Sequence, residues 1–268
     1  MILTWTTPAQ YSQVVVSEAN ETATVEGLTG ERHSGLVRMG REREPRGLAL
    51  NKRTFMLFRL PEDTSPGSSS TPIGTAFGVL RPGLVLTANH VVSEIDARSL
   101  LVLCTHYRCV KCLIDRVESH PDADVAALFL GRMSNPKPLE HFSIGLPGDV
   151  YPGYNDFPLA EDVLAYGFPM VGVEKPINPR MMKGHIQSKY EHASTDGRYR
   201  YSAYELSLPA FPGLSGAPVF SDWNKRHAAI GIVTERVSYL TEQGGHETKA
   251  YLTLAAALHP LADWIKSL

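Results

Sequence analysis

The alternation of apolar and polar residues along this chain predicts a protein built mainly from short β-strands. Apolar runs of strand length occupy residues 54–60, 77–80, 84–86 and 125–130, which is the pattern of buried or half-buried strands. Residues 61–72 consist largely of Pro, Ser, Thr and Gly, a composition that favours a loop. The chain therefore resembles a set of strands joined by turns more than a bundle of helices.

The two ends of the chain differ from this pattern. Residues 1–50 predict at most one or two short strands, and we treat them as an N-terminal extension. At the other end, an apolar stripe at helical spacing follows Pro260, which suits the first turn of a helix. The stripe consists of Leu261, Trp264, Ile265 and Leu268. We expect this terminal helix to dock its apolar face on the strands.

Composition and charge narrow the class of partner. The 268 residues are 43% hydrophobic and include 22 Gly and 19 Pro, as in turn-rich β proteins. With 26 Lys plus Arg against 28 Asp plus Glu, the net charge is −2, so no broad cationic field would attract nucleic acid or an anionic membrane. We expect neither partner.

Three features of the sequence predict a cytoplasmic protein. The first residues lack the basic start and apolar run of a secretory signal. No apolar stretch approaches the roughly 18 residues needed to span a membrane. The three cysteines, an odd number, fit a reducing compartment better than a disulfide framework.

Candidate chemistry is concentrated at three separate residues. The segment 211–219, FPGLSGAPV, holds Ser215 between two glycines, His90 follows an apolar run, and Asp124 directly precedes another. A serine nucleophile needs a base, a group that orients the base, and donors for the oxyanion. Each residue alone is better explained as a turn, surface or strand-start residue. Together, in the order His, Asp, Ser, they match a known order of the catalytic triad.

The blocks that contain these residues, TANHV, DVAAL and GLSGAPV, resemble the signature blocks of chymotrypsin-like serine proteases, in the trypsin-like and HtrA-like branch. Segments 163–169, 182–188 and 229–235 resemble strands of the same fold. The resemblance covers about residues 73–236. It implies an all-β fold of two six-stranded antiparallel β-barrels with a C-terminal α-helix.

The same resemblance implies a division of the chain. After the extension over 1–50, a first barrel would occupy 51–135, and a second barrel with the terminal helix would occupy 136–268. Residues 131–149, rich in Pro and Gly, would connect the barrels.

The resemblance also assigns catalytic roles. His90 would act as general base, Ser215 as nucleophile and Asp124 as the acid that orients the imidazole. Asp122 is the rival for the acid role, but Asp124 directly abuts the apolar run, as the family motif requires. The backbone N–H groups of Gly213 and Ser215 would form the oxyanion hole.

Further positions are assigned in the same way. Gly216 would allow close backbone packing behind the nucleophile. Thr234 occupies the position whose hydroxyl helps to fix the aspartate, although an ordinary β-branched strand residue is an equally good interpretation. The implied substrate pocket includes Pro209, Thr234, Glu235 and Arg236.

Departures from trypsin limit what the resemblance implies. Leu214 replaces the acidic residue that pairs with a newly cut N-terminus, so activation by N-terminal cleavage is not indicated. Pro209 replaces the acidic residue that gives trypsin its preference for Arg and Lys, so that preference is not inherited. Glu235 and Arg236 place charges at the cleft, where Arg236 could attract an acidic substrate residue or simply be solvated.

A cluster of soft side chains raises the question of zinc. The cluster lies within nine residues and consists of Cys104, His106, Cys109 and Cys112. The resemblance places it on a hairpin of strands 100–104 and 109–117, where residues three apart point to opposite faces. We therefore expect no metal and keep the zinc set as a minor alternative.

The predicted function is that of a serine endopeptidase, which cleaves protein or peptide bonds through an acyl-enzyme and needs no cofactor. A catalytically silent or partner-activated pseudoprotease that acts as a binding module is the main alternative, because Leu214 and the charged pocket strand depart from trypsin. An activating protein partner would fit either case. An esterase that uses the same triad is a further alternative.

Overall fold

The structure is a computed structural model that describes eleven stretches of the chain. They are residues 14–15, 24–25, 50–59, 71–79, 83–95, 100–104, 109–133, 157–170, 178–221, 229–243 and 246–268. Most of the predicted connection at 131–149 lies outside them.

The chain divides into two compact units. The first comprises residues 1–47 and 60–71, and its described part includes an antiparallel pair of two-residue strands, β1 (Val14–Val15) and β2 (Thr24–Val25). These are the short strands expected within residues 1–50. The second unit, residues 48–59 and 72–268, contains everything described below except Thr71.

Six strands of the second unit form the first barrel. They are β3 (Thr54–Arg59), β4 (Thr71–Gly78), β5 (Leu84–Ala88), β6 (Leu100–Cys104), β7 (Cys109–Ser119) and β8 (Val125–Met133). The barrel closes in the order β3, β4, β5, β8, β7, β6. Its interior is apolar and includes Phe55, Leu57, Val85, Ile114 and Leu128. A short helix, α1 (Leu50–Arg53), precedes β3, and another, α2 (Asn89–Val92), follows β5.

Six further strands form the second barrel. They are β9 (Asp162–Gly167), β10 (Arg180–Ala193), β11 (Arg200–Pro209), β12 (Pro218–Ser221), β13 (Ala229–Gln243) and β14 (His246–Ala257), followed by helix α3 (Ala262–Ser267). The barrel closes in the order β10, β11, β14, β13, β12, β9. The prediction of two six-stranded antiparallel barrels with a C-terminal helix is confirmed.

An apolar cluster shared by the two barrels holds them together. Phe77 and Leu86 of the first barrel and Phe220 and Ile232 of the second belong to it, and so does Ile265 of α3. Removing a side chain of this size from water contributes about 1.5–3 kcal/mol. The predicted stripe therefore docks as expected, with Trp264 only partly buried at its edge.

Within the described residues, no helix has the length and apolar character needed to cross a membrane.

Candidate active site

His90 lies where a strand of the first barrel ends. β5 stops at Ala88, and α2 begins at Asn89, so the imidazole projects from the first turn of a short helix. Its Nδ1 lies 2.6 Å from Oδ2 of Asp124, and its backbone N–H donates to Oδ1 of the same carboxylate at 2.9 Å. The Asp124 side chain is 9% exposed and that of His90 is 48% exposed. The carboxylate thus fixes the imidazole from its buried side.

The turn before β8 presents Asp124 to the histidine. Nδ1 of His120 accepts the N–H groups of Asp122 and Ala123, both at 3.1 Å, which closes the turn. Asp122 is exposed, and the carboxylate that contacts His90 is that of Asp124. Asn89 adds a second support, because its N–H donates to the Asp124 carbonyl oxygen at 3.2 Å.

A contact from the second barrel completes this support. The Asn89 side chain accepts from the Ser119 hydroxyl at 2.6 Å and donates to the Tyr199 hydroxyl at 2.5 Å. Tyr199 belongs to the turn between β10 and β11. Both barrels therefore position the residue next to His90.

Ser215 lies in the turn between β11 and β12. The Leu214 N–H donates to the Phe211 carbonyl oxygen at 3.2 Å, and the Ala217 N–H donates to that of Leu214 at 2.8 Å. The Leu214 side chain is buried in the core of the second barrel, so this position anchors the turn by packing. In the part of the chain that the structure describes, the N–H groups of Gly213 and Ser215 make no hydrogen bond. Within those residues, these two backbone donors of the serine turn have no acceptor.

Both glycines of the turn are required by its geometry. Gly213 has φ of +86°, and a Cβ there would lie 2.5 Å from the Phe168 carbonyl oxygen. Gly216 has φ of +87°, and a Cβ there would lie 1.9 Å from the Thr75 carbonyl oxygen. Such φ values favour glycine. The close packing expected at Gly216 is therefore present.

Thr75 of the first barrel anchors this turn. Its N–H donates to the Ser215 carbonyl oxygen at 2.9 Å. Its hydroxyl donates to the Gly213 carbonyl oxygen at 2.7 Å and accepts the Phe168 N–H at 3.2 Å. Sequence reasoning missed this residue, because a lone Thr in a strand carries no signal of a partner 138 residues away.

The structure brings His90 and Ser215 to one seam without a hydrogen bond between them. A Cβ on Gly74 would lie 2.8 Å from the Val91 side chain and 3.0 Å from the Ser215 carbonyl oxygen, so the start of α2 and the serine turn lie close together. The Ser215 hydroxyl is oriented to the Thr234 carbonyl oxygen, at 3.5 Å. No hydrogen bond among the described residues joins His90 to Ser215.

The hydroxyl of Thr234 has other partners than the one implied by the resemblance. It accepts from the Tyr201 hydroxyl at 3.1 Å and lies 3.4 Å from the Leu254 carbonyl oxygen. No hydrogen bond to Asp124 is found in the described part of the chain. Tyr201 lies on β11, and burial raises the pKa of its phenol, so the phenol keeps the proton that it donates to Thr234.

The remaining predicted pocket residues are dispersed. Pro209 ends β11 opposite Leu252, with its side chain exposed. The Arg236 guanidinium lies over the Tyr251 ring, 4.5 Å from its centroid. Glu235 accepts a hydrogen bond from His192, a residue that sequence reasoning also missed. Of this set, Thr234 is the residue found in contact with Ser215 among the described residues, through its carbonyl oxygen.

The described part of the cysteine cluster does not indicate zinc. Cys112 is buried, and burial raises the pKa of its thiol to about 12, which disfavours the thiolate that binds metals. His106 and the side chains of Cys104 and Cys109 lie outside the description. Among the described residues, no group of three or more His, Cys, Asp or Glu could hold a metal ion.

Comparison with solved structures shows a shared fold. The HtrA-type protease AlgW with a decapeptide is 16% identical, with a TM-score of 0.53 over 81% of this chain. The chain covers 64% of the length of that AlgW chain. The apo MamO protease domain from Magnetospirillum magneticum is 15% identical, with a TM-score of 0.54 over 80% of this chain and 96% of that domain. At such identities the likeness concerns the fold alone.

Sequence comparison identifies the family. No curated protein matches the chain. The family model of the trypsin-like peptidase domain matches residues 74–232, a range that begins in β4, ends in β13 and contains His90, Asp124 and Ser215. This range is more than half of the chain, and the protein therefore belongs to the trypsin-like peptidase family.

Proposed function

We propose that this protein is a serine endopeptidase with His90, Asp124 and Ser215 as its triad. The observation that carries the proposal is the pairing of His90 with Asp124 in the first barrel. The turn that contains Ser215 is hydrogen-bonded to Thr75 of the same barrel. Nδ1–H of His90 donates to Asp124, so Nε2 carries the lone pair that a general base needs.

The proposed cycle begins when the Ser215 side chain rotates from the Thr234 carbonyl oxygen towards Nε2 of His90. His90 then takes the hydroxyl proton as Oγ attacks a peptide carbonyl, and Asp124 stabilises the imidazolium. The free N–H groups of Gly213 and Ser215 receive the oxyanion. His90 gives its proton to the leaving amine, and water repeats the sequence on the acyl-enzyme.

We infer that the substrates are proteins or peptides, without a cofactor. A protein of the same fold, AlgW, is described with a decapeptide, and we extend that class of ligand to this chain. A cytoplasmic location is part of the proposal, supported by the odd number of cysteines, three, which fits a reducing compartment better than a disulfide framework.

A fluorophosphonate probe tests the triad, because it reacts with activated serines regardless of substrate preference. We expect wild-type protein to be labelled at Ser215, and Ser215→Ala and His90→Ala to be unlabelled. Turnover of matched peptide and ester substrates separates a peptidase from an esterase. Folded wild-type protein that resists the probe under all conditions would refute the proposal.

One observation favours a second candidate, a partner-activated or silent binding module. The Ser215 hydroxyl is oriented to Thr234 and has no hydrogen bond to His90 in the described structure. Labelling that occurs only after a cell lysate is added would indicate an activating partner. Peptides cleaved in lysate by wild type but not by Ser215→Ala would identify the substrates.

A further inference from the structure

The proposed cycle does not use a carboxylate that lies close to the nucleophile. Glu235 directly follows Thr234, whose carbonyl oxygen is 3.5 Å from the Ser215 hydroxyl. The ladder between β13 and β14 shifts here from Val233 opposite Ala255 to Glu235 opposite Leu254, so Thr234 forms a bulge. Bulges beside active sites often redirect a side chain. Thr234 is buried, whereas the Glu235 side chain is 33% exposed.

His192 holds this carboxylate in place. Its Nε2 lies 2.6 Å from Oε1 of Glu235, and its side chain is only 14% exposed. The imidazole is packed edge-on against Tyr201 and Tyr190, at 5.3 and 6.3 Å between ring centroids. A ligand group fixed by packing is preorganised, which lowers the entropy cost of binding. Oε2 of Glu235 makes no hydrogen bond within the described residues and is available to a second donor.

Glu235 has no Lys or Arg partner among the described residues. Burial is the largest cause of the raised pKa of Tyr190, and the charges of Glu205 and Glu235 raise this pKa further. Arg236 is the nearest cation in sequence, but neighbouring residues of a strand point to opposite faces. Its guanidinium accordingly lies over the Tyr251 ring and not beside Glu235. Among the salt bridges of the described residues, Glu235 pairs with His192 alone. No Lys or Arg of this part of the chain neutralises it.

We propose that Glu235, held by His192 and flanked by Tyr190, binds a basic side chain of the substrate, an Arg or a Lys. The planar guanidinium of Arg can donate to Oε2 and lie against the Tyr190 ring, which is 37% exposed, in a cation–π contact. An acidic side chain is repelled at the same place. Because the Thr234 carbonyl oxygen faces Ser215, the bound residue lies close to the scissile bond.

This proposal rests on the proposed function and specifies the substrate class of the same site. Trypsin owes its preference for Arg and Lys to an acidic residue at the position that Pro209 occupies here. The proposed subsite uses a different carboxylate, that of Glu235 on β13. The proposal also assigns attraction of basic residues to Glu235, where the sequence raised attraction of acidic residues by Arg236.

A cleavage profile tests the proposal when the protein is active. Wild type, Glu235→Gln and Glu191→Gln are incubated with a peptide library prepared from a digested proteome. Glu191→Gln is the matched control, because Glu191 adjoins His192 but is exposed and hydrogen-bonded to Ser202. We expect Arg and Lys to be enriched at one position near the cut by wild type and Glu191→Gln. Loss of a charged hydrogen bond predicts about a tenfold or greater fall in that preference in Glu235→Gln. Equal enrichment in all three proteins would overturn the proposal.

A binding measurement separates the subsite from catalysis. Agmatine carries the guanidinium and aliphatic chain of arginine without a peptide bond, and its titration can be followed by NMR. We expect saturable binding to wild type and Glu191→Gln, and an affinity about tenfold lower or worse for Glu235→Gln. Absence of saturable binding, or equal affinity in all three, refutes the subsite. Agmatine binding through Glu235 in a protein that never reacts with fluorophosphonate refutes the peptidase instead.

Discussion

Thr75 is a single buried residue that holds two carbonyl groups of the turn containing Ser215, the proposed nucleophile. Its hydroxyl and its N–H hold the carbonyl groups of Gly213 and Ser215, at 2.7 and 2.9 Å. The same two residues supply the free N–H groups proposed for the oxyanion hole. Thr75 touches no reacting atom, so it is a positioning residue that acts through the direction of those donors.

We predict that Thr75→Val lowers kcat by about tenfold, with little change in KM, because misdirected oxyanion donors weaken transition-state binding more than substrate binding. Valine keeps the volume but leaves the Gly213 carbonyl oxygen without its partner. Thr75→Ser restores the hydroxyl and should recover most of the rate. If Thr75→Val had the same kcat as the wild-type protein, the Thr75 hydroxyl would have no positioning role.

Individual residues differ in how far the sequence could predict them. His90 and Asp124 lie in recognisable blocks, and their contact follows from the order of those blocks. The role of Thr75 depends on a contact across the barrel seam, which leaves no local pattern. One of the two interpretations of Thr234 was a contact with Asp124, but among the described residues its hydroxyl accepts from Tyr201. That partner depends on the path of β11 and not on the sequence near Thr234.

His120 gives the stability of the protein a pH dependence. Burial lowers the pKa of its imidazole, against the opposing charge of Asp122, and Nδ1 must stay unprotonated to accept the N–H groups of Asp122 and Ala123. The unfolded chain therefore binds a proton more readily than the folded one. The contribution of His120 to stability is complete above its unfolded pKa of about 6.5 and is lost as the pH falls below it towards the folded pKa.

We predict that urea unfolding of wild type shows a larger loss of free energy between pH 7.5 and pH 5.5 than unfolding of His120→Gln. Glutamine cannot titrate, and the other histidines are common to both proteins. Parallel pH profiles of the two proteins would contradict the prediction. The measurement requires no enzymatic activity.

At the scale of elements, the turn between β11 and β12 is built around its glycines. Gly216 combines a positive φ with contact to the Thr75 carbonyl oxygen. Gly197 has φ of +68°, but no heavy atom of the described residues outside its own turn lies within 4 Å of the point where a Cβ would be attached. Substituting Gly197 therefore measures the free-energy cost of the backbone conformation alone. Substituting Gly216 measures that cost together with the cost of the steric contact.

We predict that Gly197→Ala costs about 1–2 kcal/mol of unfolding free energy, from the left-handed conformation alone. Gly216→Ala should cost about 1–3 kcal/mol more, because the methyl group meets backbone that cannot move aside. Fluorophosphonate labelling should fall in Gly216→Ala and stay unchanged in Gly197→Ala. If denaturant unfolding gave the same loss of free energy for both variants, the backbone around Gly216 would be able to move and accommodate the methyl group.

The extent of the strands was the part of the fold least accessible to sequence reasoning. The hairpin strands predicted at 100–104 and 109–117 occur as β6 and β7, because apolar residues mark their length. β10 and β13 run well beyond the predicted 182–188 and 229–235. The added residues pair in the ladders, and those of β10 include the exposed, charged Arg180 and Glu191. Such a stretch lacks the apolar run by which a strand is recognised.

At the scale of the whole molecule, the shared apolar cluster makes the proposed site depend on the packing of both barrels and the terminal helix. The cluster contains residues of both barrels and of α3, and His90 and Ser215 come from opposite sides of the seam that it fills. The terminal helix contributes no residue to the proposed triad. It nevertheless supplies Leu261, Ile265 and Leu268 to this common core.

We predict that Ile265→Ala lowers the free energy of unfolding by about 2–5 kcal/mol, the range for a large aliphatic residue truncated in a core. Lys266→Ala is the matched control on the same helix, since Lys266 is exposed and its ion pair with Asp263 spans 4.0 Å. Such a pair contributes about 0–1 kcal/mol. Denaturant curves should show one transition for each protein, with fluorophosphonate labelling lost along the same curve, because one core supports both barrels. If Ile265→Ala unfolded in two steps, with labelling lost in the first and most β-structure in the second, the barrels would be stable separately and the helix would serve only their docking.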